Sequence, residues 1–362
     1  MRKAILADVI HPRMRGVHSL DRMRELEELV RTYGGIVVVK TFQRRFAPHP
    51  KTFLGLGKVD ALAQEGKVLE ADLLVINDLL KPRQIYEIGE RLRQDKIEVW
   101  DRIDLILKIF AKHAHTTEAK LEIELASIRH MGPRIFGMGM ELSRQGGGIG
   151  TSGIGETNTE IMRRHLRERE QIIKEKLERC LTVREGHRVF RRRQGLKTVS
   201  IVGYTNAGKT SLLNVLTGRR EYAANKLFAT LDTRVGALWL PRLQRKILVS
   251  DTIGFIKHLP PELVSAFSST LSEAVEADAL LQVLDAADSR WWQHLQVVEE
   301  VLTRLRIKDK PRILICHKSD QVSARQRKVI DRKLADTPHV WASAQAGDGM
   351  EVLVEAIENI LK

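Results

Sequence analysis

The stretch GYTNAGKT, residues 203–210, lies between an apolar run, VSIVG, and a helical pattern, SLLNVLTG. It matches G-x-x-x-x-G-K-[ST], with strand, turn and helix in the order that its chemistry needs. Glycines let backbone N–H groups turn inward around phosphate oxygens, and the N-terminus of the following helix adds positive potential. On this reading Gly203, Tyr204, Thr205, Asn206, Ala207 and Gly208 wrap the phosphates and Lys209 reaches the β- and γ-phosphates. Thr210 offers its hydroxyl to Mg²⁺, and Ser211 meets the α-phosphate. Around this motif the apolar runs VSIVG, KILVSD, ALLQVLDA, RILICH and HVWAS alternate with helical stretches up to GMEVLVEAIENILK. That alternation predicts a doubly wound α/β domain with a mostly parallel sheet over 196–362.

Later residues choose the base. DTIG, residues 251–254, follows the strand KILVSD, which puts Asp251 at a strand end beside the Mg²⁺ shell and lets the Gly254 N–H approach the γ-phosphate, with Thr252 and Ile253 between them. HKSD at 317–320 follows RILIC, and SAQ at 343–345 follows HVWA. A carboxylate at Asp320 accepts both N1–H and N2–H of guanine, a donor pair that adenine does not present. The stem of Lys318 covers the base face, and backbone N–H groups near Ser343 and Ala344 are expected to meet O6, with Ser319 and Gln345 completing the two loops.

Together these residues resemble the guanine-nucleotide hydrolases of the translation-factor-related class. The class pattern is N-K-x-D, and His317 stands where an asparagine normally bonds the base and ties this loop to the phosphate loop. Within that resemblance KLFATLD, residues 226–232, brings Phe228, Ala229, Thr230, Leu231 and Asp232 to the nucleotide. Thr230 is then the switch threonine, a Mg²⁺ ligand whose N–H touches the γ-phosphate, so Lys209 and Thr230 carry the catalytic expectation. Phe255 occupies a position where many relatives place a water-orienting glutamine. Its ring cannot hydrogen-bond, so the free enzyme is expected to be slow. Asn206 makes K⁺ a further candidate cofactor, because potassium-activated members of the class hold a monovalent cation with this asparagine.

Working outward, residues 1–115 alternate short apolar runs with helical patterns, from AILADVI to IEVW, which reads as a small α/β layer. In 116–195, Leu121, Leu125 and Ile128 recur at helical spacing, as do Leu166, Ile173, Leu177 and Leu181. These predict two long antiparallel helices joined by a glycine-rich tip between Gly137 and Gly155. The second helix is densely basic, from Arg163, Arg164, Arg167 and Arg169 to Arg191 and Arg193. Such a face is either solvated and laced with ion pairs or a phosphate-binding surface.

The net charge of +14 fits a polyanionic partner. Two cysteines, Cys180 and Cys316, exclude a disulfide framework or a thiol metal site, and no run is long and apolar enough for a membrane span. A cytoplasmic, monomeric protein is expected.

GLGKV at 55–59, LVINDLLKPRQ, VWDRIDLILKIFAKHAHTTEAKLEIELASI and ELSRQGGGIGTSGIGETNTEIMRRHLRER resemble the HflX family of ribosome-associated GTPases, and GYTNAGKTS with KLFATLDT extends the likeness over nearly the whole chain. The departures are TSGIGET, where members show R-G-P-G-E-T, and an end at the helix where many members continue into a further small domain. The resemblance implies a GTP-hydrolysing protein that binds the large ribosomal subunit and its rRNA, with the first domain and the tip reaching toward the peptidyl transferase region, and that separates subunits. A GTPase of ribosome assembly or RNA modification, or an rRNA-binding switch with negligible turnover, are the alternative expectations.

Overall fold

The computed structural model describes residues 1–13, 16–145, 152–218, 234–256 and 268–362, without the side chains of 16–20, 133, 135–145, 152–159, 192 and 268–270. Phe228, Ala229, Thr230, Leu231 and Asp232 lie outside the described residues. The chain divides into two compact units, one of Met1–Lys112 with Lys120–Leu177 and the other of His113–Ala119 with Glu178–Lys362.

In the first unit, β1 (Lys3–Ile10), α1 (Gly16–Tyr33), β2 (Ile36–Arg44), α2 (Leu56–Val68), β3 (Leu73–Ile76), α3 (Pro82–Leu92) and β4 (Glu98–Asp101) follow the expected alternation. The four strands form a parallel sheet in the order β2-β1-β3-β4. Leu74, Ile76, Leu62 and Ile88 are fully buried between sheet and helices. One further helix, α4 (Arg102–His113), is absent from the sequence expectation. Its run RIDLILKIF is buried at every residue but Lys108, so the one exposed stripe, Lys108, Ala111 and Lys112, is narrow and falls mostly beyond the run.

Asp101 and Asp104 begin α4 as a reciprocal cap. The Asp101 carboxylate accepts the backbone N–H groups of Ile103 and Asp104 at 2.9 Å each, and the Asp104 carboxylate accepts that of Asp101 at 3.0 Å. From α5 (Thr117–Gln145), Arg134 pairs with both carboxylates, at 2.7 Å to Asp104, and His130 lies 3.3 Å from each. These carboxylates hold His130 charged, raising its pKa to about 9 against the opposing effect of burial. Asp104 is lowered to about 2, with burial opposed by His130 and Arg134.

The antiparallel partner of α5 is α6 (Ser152–Arg193), and Leu121, Leu125 and Ile173 form their seam with Ile128 and Leu177. Both helices run further into the glycine-rich stretch than expected, to Gln145 and from Ser152. Leu181 is 43% exposed rather than packed. The inward side of α6 passes instead to Arg184, which meets Glu118 at 3.1 Å where α5 has only just begun.

The second unit carries a six-stranded sheet of β5 (Thr198–Gly203), β6 (Arg234–Leu240), β7 (Arg245–Asp251), β8 (Ala279–Asp285), β9 (Arg312–His317) and β10 (His339–Trp341), in the order β10-β9-β8-β5-β7-β6. Every pair is parallel except β6 with β7. Helices α7 (Lys209–Thr217), α8 (Ser268–Glu276), α9 (Trp291–Arg304), α10 (Ala324–Lys333) and α11 (Met350–Ile360) flank it. Strand β6 was not expected from RVGALWL, yet its Gly236, Leu238 and Leu240 are buried while Ala237 and Trp239 are exposed. That alternation is the pattern of an edge strand with one covered face.

Candidate functional site

The C-terminal ends of β5, β7, β8 and β9 open onto one crevice, where an open α/β sheet places its ligand. The loop between β5 and α7 turns through a left-handed Asn206 (φ 62°) and Gly208 (φ 92°) before α7 starts at Lys209. Gly203 leaves β5 so closely against β8 that a Cβ would sit 2.4 Å from the Val283 carbonyl oxygen. These two glycines are therefore demanded by geometry.

Lys209 is buried on the inner side of the loop, and its Nζ donates to the Tyr204 carbonyl at 2.9 Å. Burial pulls its pKa down to about 8, opposed by Asp251. The Thr210 hydroxyl donates to the Asp251 carboxylate at 2.7 Å, with Asp251 fully buried at the end of β7. A hydroxyl and a carboxylate converging where a helix begins are the hard oxygen donors that suit Mg²⁺. Ser211 follows on the first turn of α7, half-buried.

The DTIG segment is fastened to the phosphate loop. The Thr252 hydroxyl donates to the Ile201 carbonyl at 2.7 Å, and Ile253 is buried. A Cβ on Gly254 would lie 2.5 Å from Thr205 Cα and 2.9 Å from Lys209 Nζ, so Gly254 faces the same cradle. Phe255 is 3% exposed, its N–H donating to the Gly203 carbonyl at 3.0 Å and its carbonyl accepting from the Thr205 N–H at 2.7 Å. The ring is thus turned into the protein, and the backbone of this residue latches the two loops together.

On the other side of the crevice, Lys318 (φ 58°) sends its Nζ to the Asn206 carbonyl at 3.1 Å and to Asp285 at 2.6 Å. The Asp320 carboxylate is exposed and accepts the Ser343 hydroxyl at 2.6 Å, a contact that lowers its pKa. Ser319 N–H reaches the Ala342 carbonyl at 3.3 Å, holding the 317–320 turn against the 343–345 turn, and Gln345 is exposed at its tip. The N–H groups expected to meet O6 are engaged within the protein: Ser343 N–H donates to the Asp348 carbonyl at 2.9 Å, and Ala344 N–H to His317 Nε2 at 3.2 Å. His317 is buried, and burial with the nearby Lys318 charge pushes its pKa down to about 4.

Two participants were missed by the sequence reading. Asp285 fixes Lys318, and its position at a strand end facing the crevice was an available signal. His294 of α9 stacks on Tyr204 at 3.9 Å between ring centroids, and nothing local in the sequence marks that pair. Among the described residues, Asp101, Asp104 and His130 form a cluster with metal-ligand spacing, but the Arg134 guanidinium already occupies its cationic position. Burial raises the Cys316 thiol to about 12, which excludes it as a nucleophile. No helix among the described residues is long and apolar enough to cross a membrane.

Family models match three consecutive stretches: a GTP-binding GTPase N-terminal region over 20–111, a GTP-binding GTPase middle region over 113–191, and a 50S ribosome-binding GTPase domain over 198–318. The GTPase HflX of Caldanaerobacter subterraneus subsp. tengcongensis is 40% identical over 94% of this chain and 77% of its own length. That of Escherichia coli is 41% identical over 94% and 79%, and that of Methanocaldococcus jannaschii 35% over 94% and 82%. Among solved structures, a GTP-binding protein from Sulfolobus solfataricus in complex with GDP aligns with a TM-score of 0.51 at 27% identity, covering 99% of this chain and 98% of that one.

Proposed function

The chain belongs to the HflX family of GTPases, and from that premise we propose that it docks on the large ribosomal subunit, splits or remodels ribosomes, and hydrolyses GTP quickly only when docked. The observation that carries the docking is the exposed basic face of α6. Arg163, Arg164, Arg167, Lys176 and Arg179 are exposed there, as counterion-releasing contacts to rRNA phosphates require. The match to a 50S ribosome-binding domain model supports the same partner. In this reading 1–115 and the hairpin of 116–195 are the ribosome-facing segments, and 196–362 the motor.

Each residue has a part in the hydrolysis. Lys209 and the left-handed turn through Asn206 and Gly208 at the start of α7 hold the phosphates in line, and Gly254 approaches the γ-phosphate. Thr210, beside Asp251, and Thr230 are the proposed Mg²⁺ ligands. Mg²⁺, when bound, neutralises charge on the β- and γ-phosphate oxygens. Asp320 accepts the guanine N1–H and N2–H, and Lys318 covers the base.

Phe255 is retracted, so it leaves the attacking water without a side-chain partner from its position. Completing such a site from outside is worth 10³ to 10⁵ in rate, on the order of 4–7 kcal/mol. The ribosome supplies that completion, and K⁺ held near Asn206 adds to it. The test is single-turnover GTP hydrolysis in Na⁺ or K⁺ buffer, with and without large subunits, for wild type and Phe255→Gln. Fast turnover by free wild type in Na⁺, or indifference to subunits, removes the reading. Sedimentation with mature subunits against assembly intermediates decides between ribosome splitting and a role in assembly.

A further inference from the structure

His317 is the point at which this chain leaves the pattern of its class, and its surroundings say what the exchange does. An asparagine amide has a donor and an acceptor on one small group, and can hold the protein with one while offering the other to a base. An imidazole has two nitrogens on different edges of a rigid ring, and in the neutral form only one carries a proton.

Both nitrogens of His317 face protein. Nε2 lies 3.2 Å from the Ala344 N–H and accepts from it, so this nitrogen carries no proton. The single proton therefore belongs to Nδ1. Nδ1 is buried and lies against the phosphate loop, facing the Ala207 backbone, where a Cβ on Gly208 would come within 2.6 Å of it and 2.5 Å of Cε1. The ring as a whole is 4% exposed. A pKa near 4, set first by burial and then by Lys318, keeps it neutral at physiological pH.

We propose that His317 is a strut between the phosphate loop, the end of β9 and the 343–345 turn, and that it leaves N7 of the bound guanine unread, so that this protein selects guanine through Asp320 at the N1–H and N2–H edge. The argument rests on the reading that places the base against Asp320. His317 is then a positioning residue, and the same bond that orients it takes the Ala344 N–H away from O6. The asparagine it replaces would restore a donor beside N7.

The experiment is calorimetric binding of GDP, 7-deaza-GDP and IDP, with Mg²⁺ and without ribosomes, to wild type and His317→Asn. Diphosphates are used because they are not turned over. In wild type, 7-deaza-GDP, which has a C–H in place of N7, should bind within about twofold of GDP, since no hydrogen bond is lost. In His317→Asn, GDP should gain a preference over 7-deaza-GDP of about fivefold, the worth of one modest hydrogen bond. IDP lacks the N2 amino group and should bind more weakly than GDP in both proteins. A wild type that discriminates against 7-deaza-GDP by fivefold or more overturns the proposal, and that measurement needs no variant to fold. Equal binding of IDP and GDP overturns it by a different route, by removing the Asp320 base site on which it stands.

Discussion

Gly208→Ala tests how tightly the phosphate loop is built against its neighbours. Gly208 has φ 92° and ψ 21°, a left-handed conformation that L side chains adopt at a cost of about 1–3 kcal/mol. The new Cβ would also meet His317 Cε1 at 2.5 Å and Nδ1 at 2.6 Å. That ring cannot swing into solvent cheaply, because it is 4% exposed and bonded to the Ala344 N–H. Overpacking of a closed site costs a further 1–3 kcal/mol, roughly. The sum, about 2–6 kcal/mol, predicts a loss of GDP affinity from roughly 30-fold to roughly ten-thousandfold. Calorimetric titration of wild type, Gly208→Ala and Gly208→Ala/His317→Ala separates the two contributions, with thermal melts run on each. Removing the ring should recover the steric part and leave the conformational one. A single variant within threefold of wild type, or a double variant no better than the single, refutes the reasoning.

Asp320→Asn should weaken GDP binding by about 1.5–3 kcal/mol through loss of a charge-assisted acceptor and should favour xanthosine diphosphate, read by the same titration. Thr210→Ala removes the hydroxyl that meets Asp251, so the difference in GDP affinity between Mg²⁺ and EDTA buffers should collapse; a preserved difference moves the metal elsewhere. Arg134→Ala leaves the buried Asp101 and Asp104 carboxylates beside His130 alone and should cost about 3–5 kcal/mol in denaturant unfolding. For His130, the pKa is raised to about 9 from 6.5, so the native state holds its proton more tightly than the unfolded chain. Its contribution is therefore complete below pH 6.5 and lost as pH rises through 9. The stability gap between wild type and His130→Gln should shrink over that window, and a gap independent of pH would remove the charge from the argument.

The parts of this protein that were legible in the sequence are those whose physics is local. A phosphate cradle needs left-handed turns and a helix start within eight residues, and GYTNAGKT, residues 203–210, writes those requirements consecutively. The parallel sheets were legible for a related reason, since buried strands read as apolar runs and amphipathic helices as stripes between them. Helix α4 was missed because its exposed stripe is reduced to Lys108, Ala111 and Lys112, and β6 because it alternates buried with exposed residues and is interrupted by Gly236. Register at the hairpin base was not legible either, since which residues of α6 turn inward depends on where α5 begins.

Tertiary structure alone decided what the side chains of the site touch. The sequence marks His317 as a departure, but only the fold brings Ala344 to one edge of its ring and Gly208 to the other, from positions 27 and 109 residues away in the chain. It likewise turns Phe255 inward against Gly203 and Thr205, and closes Asp101, Asp104, His130 and Arg134 into one charged cluster. Backbone preference is set by a residue and its immediate neighbours, whereas the hydrogen-bonding state of a buried polar group is set by whatever strand, turn or helix the packed core delivers beside it.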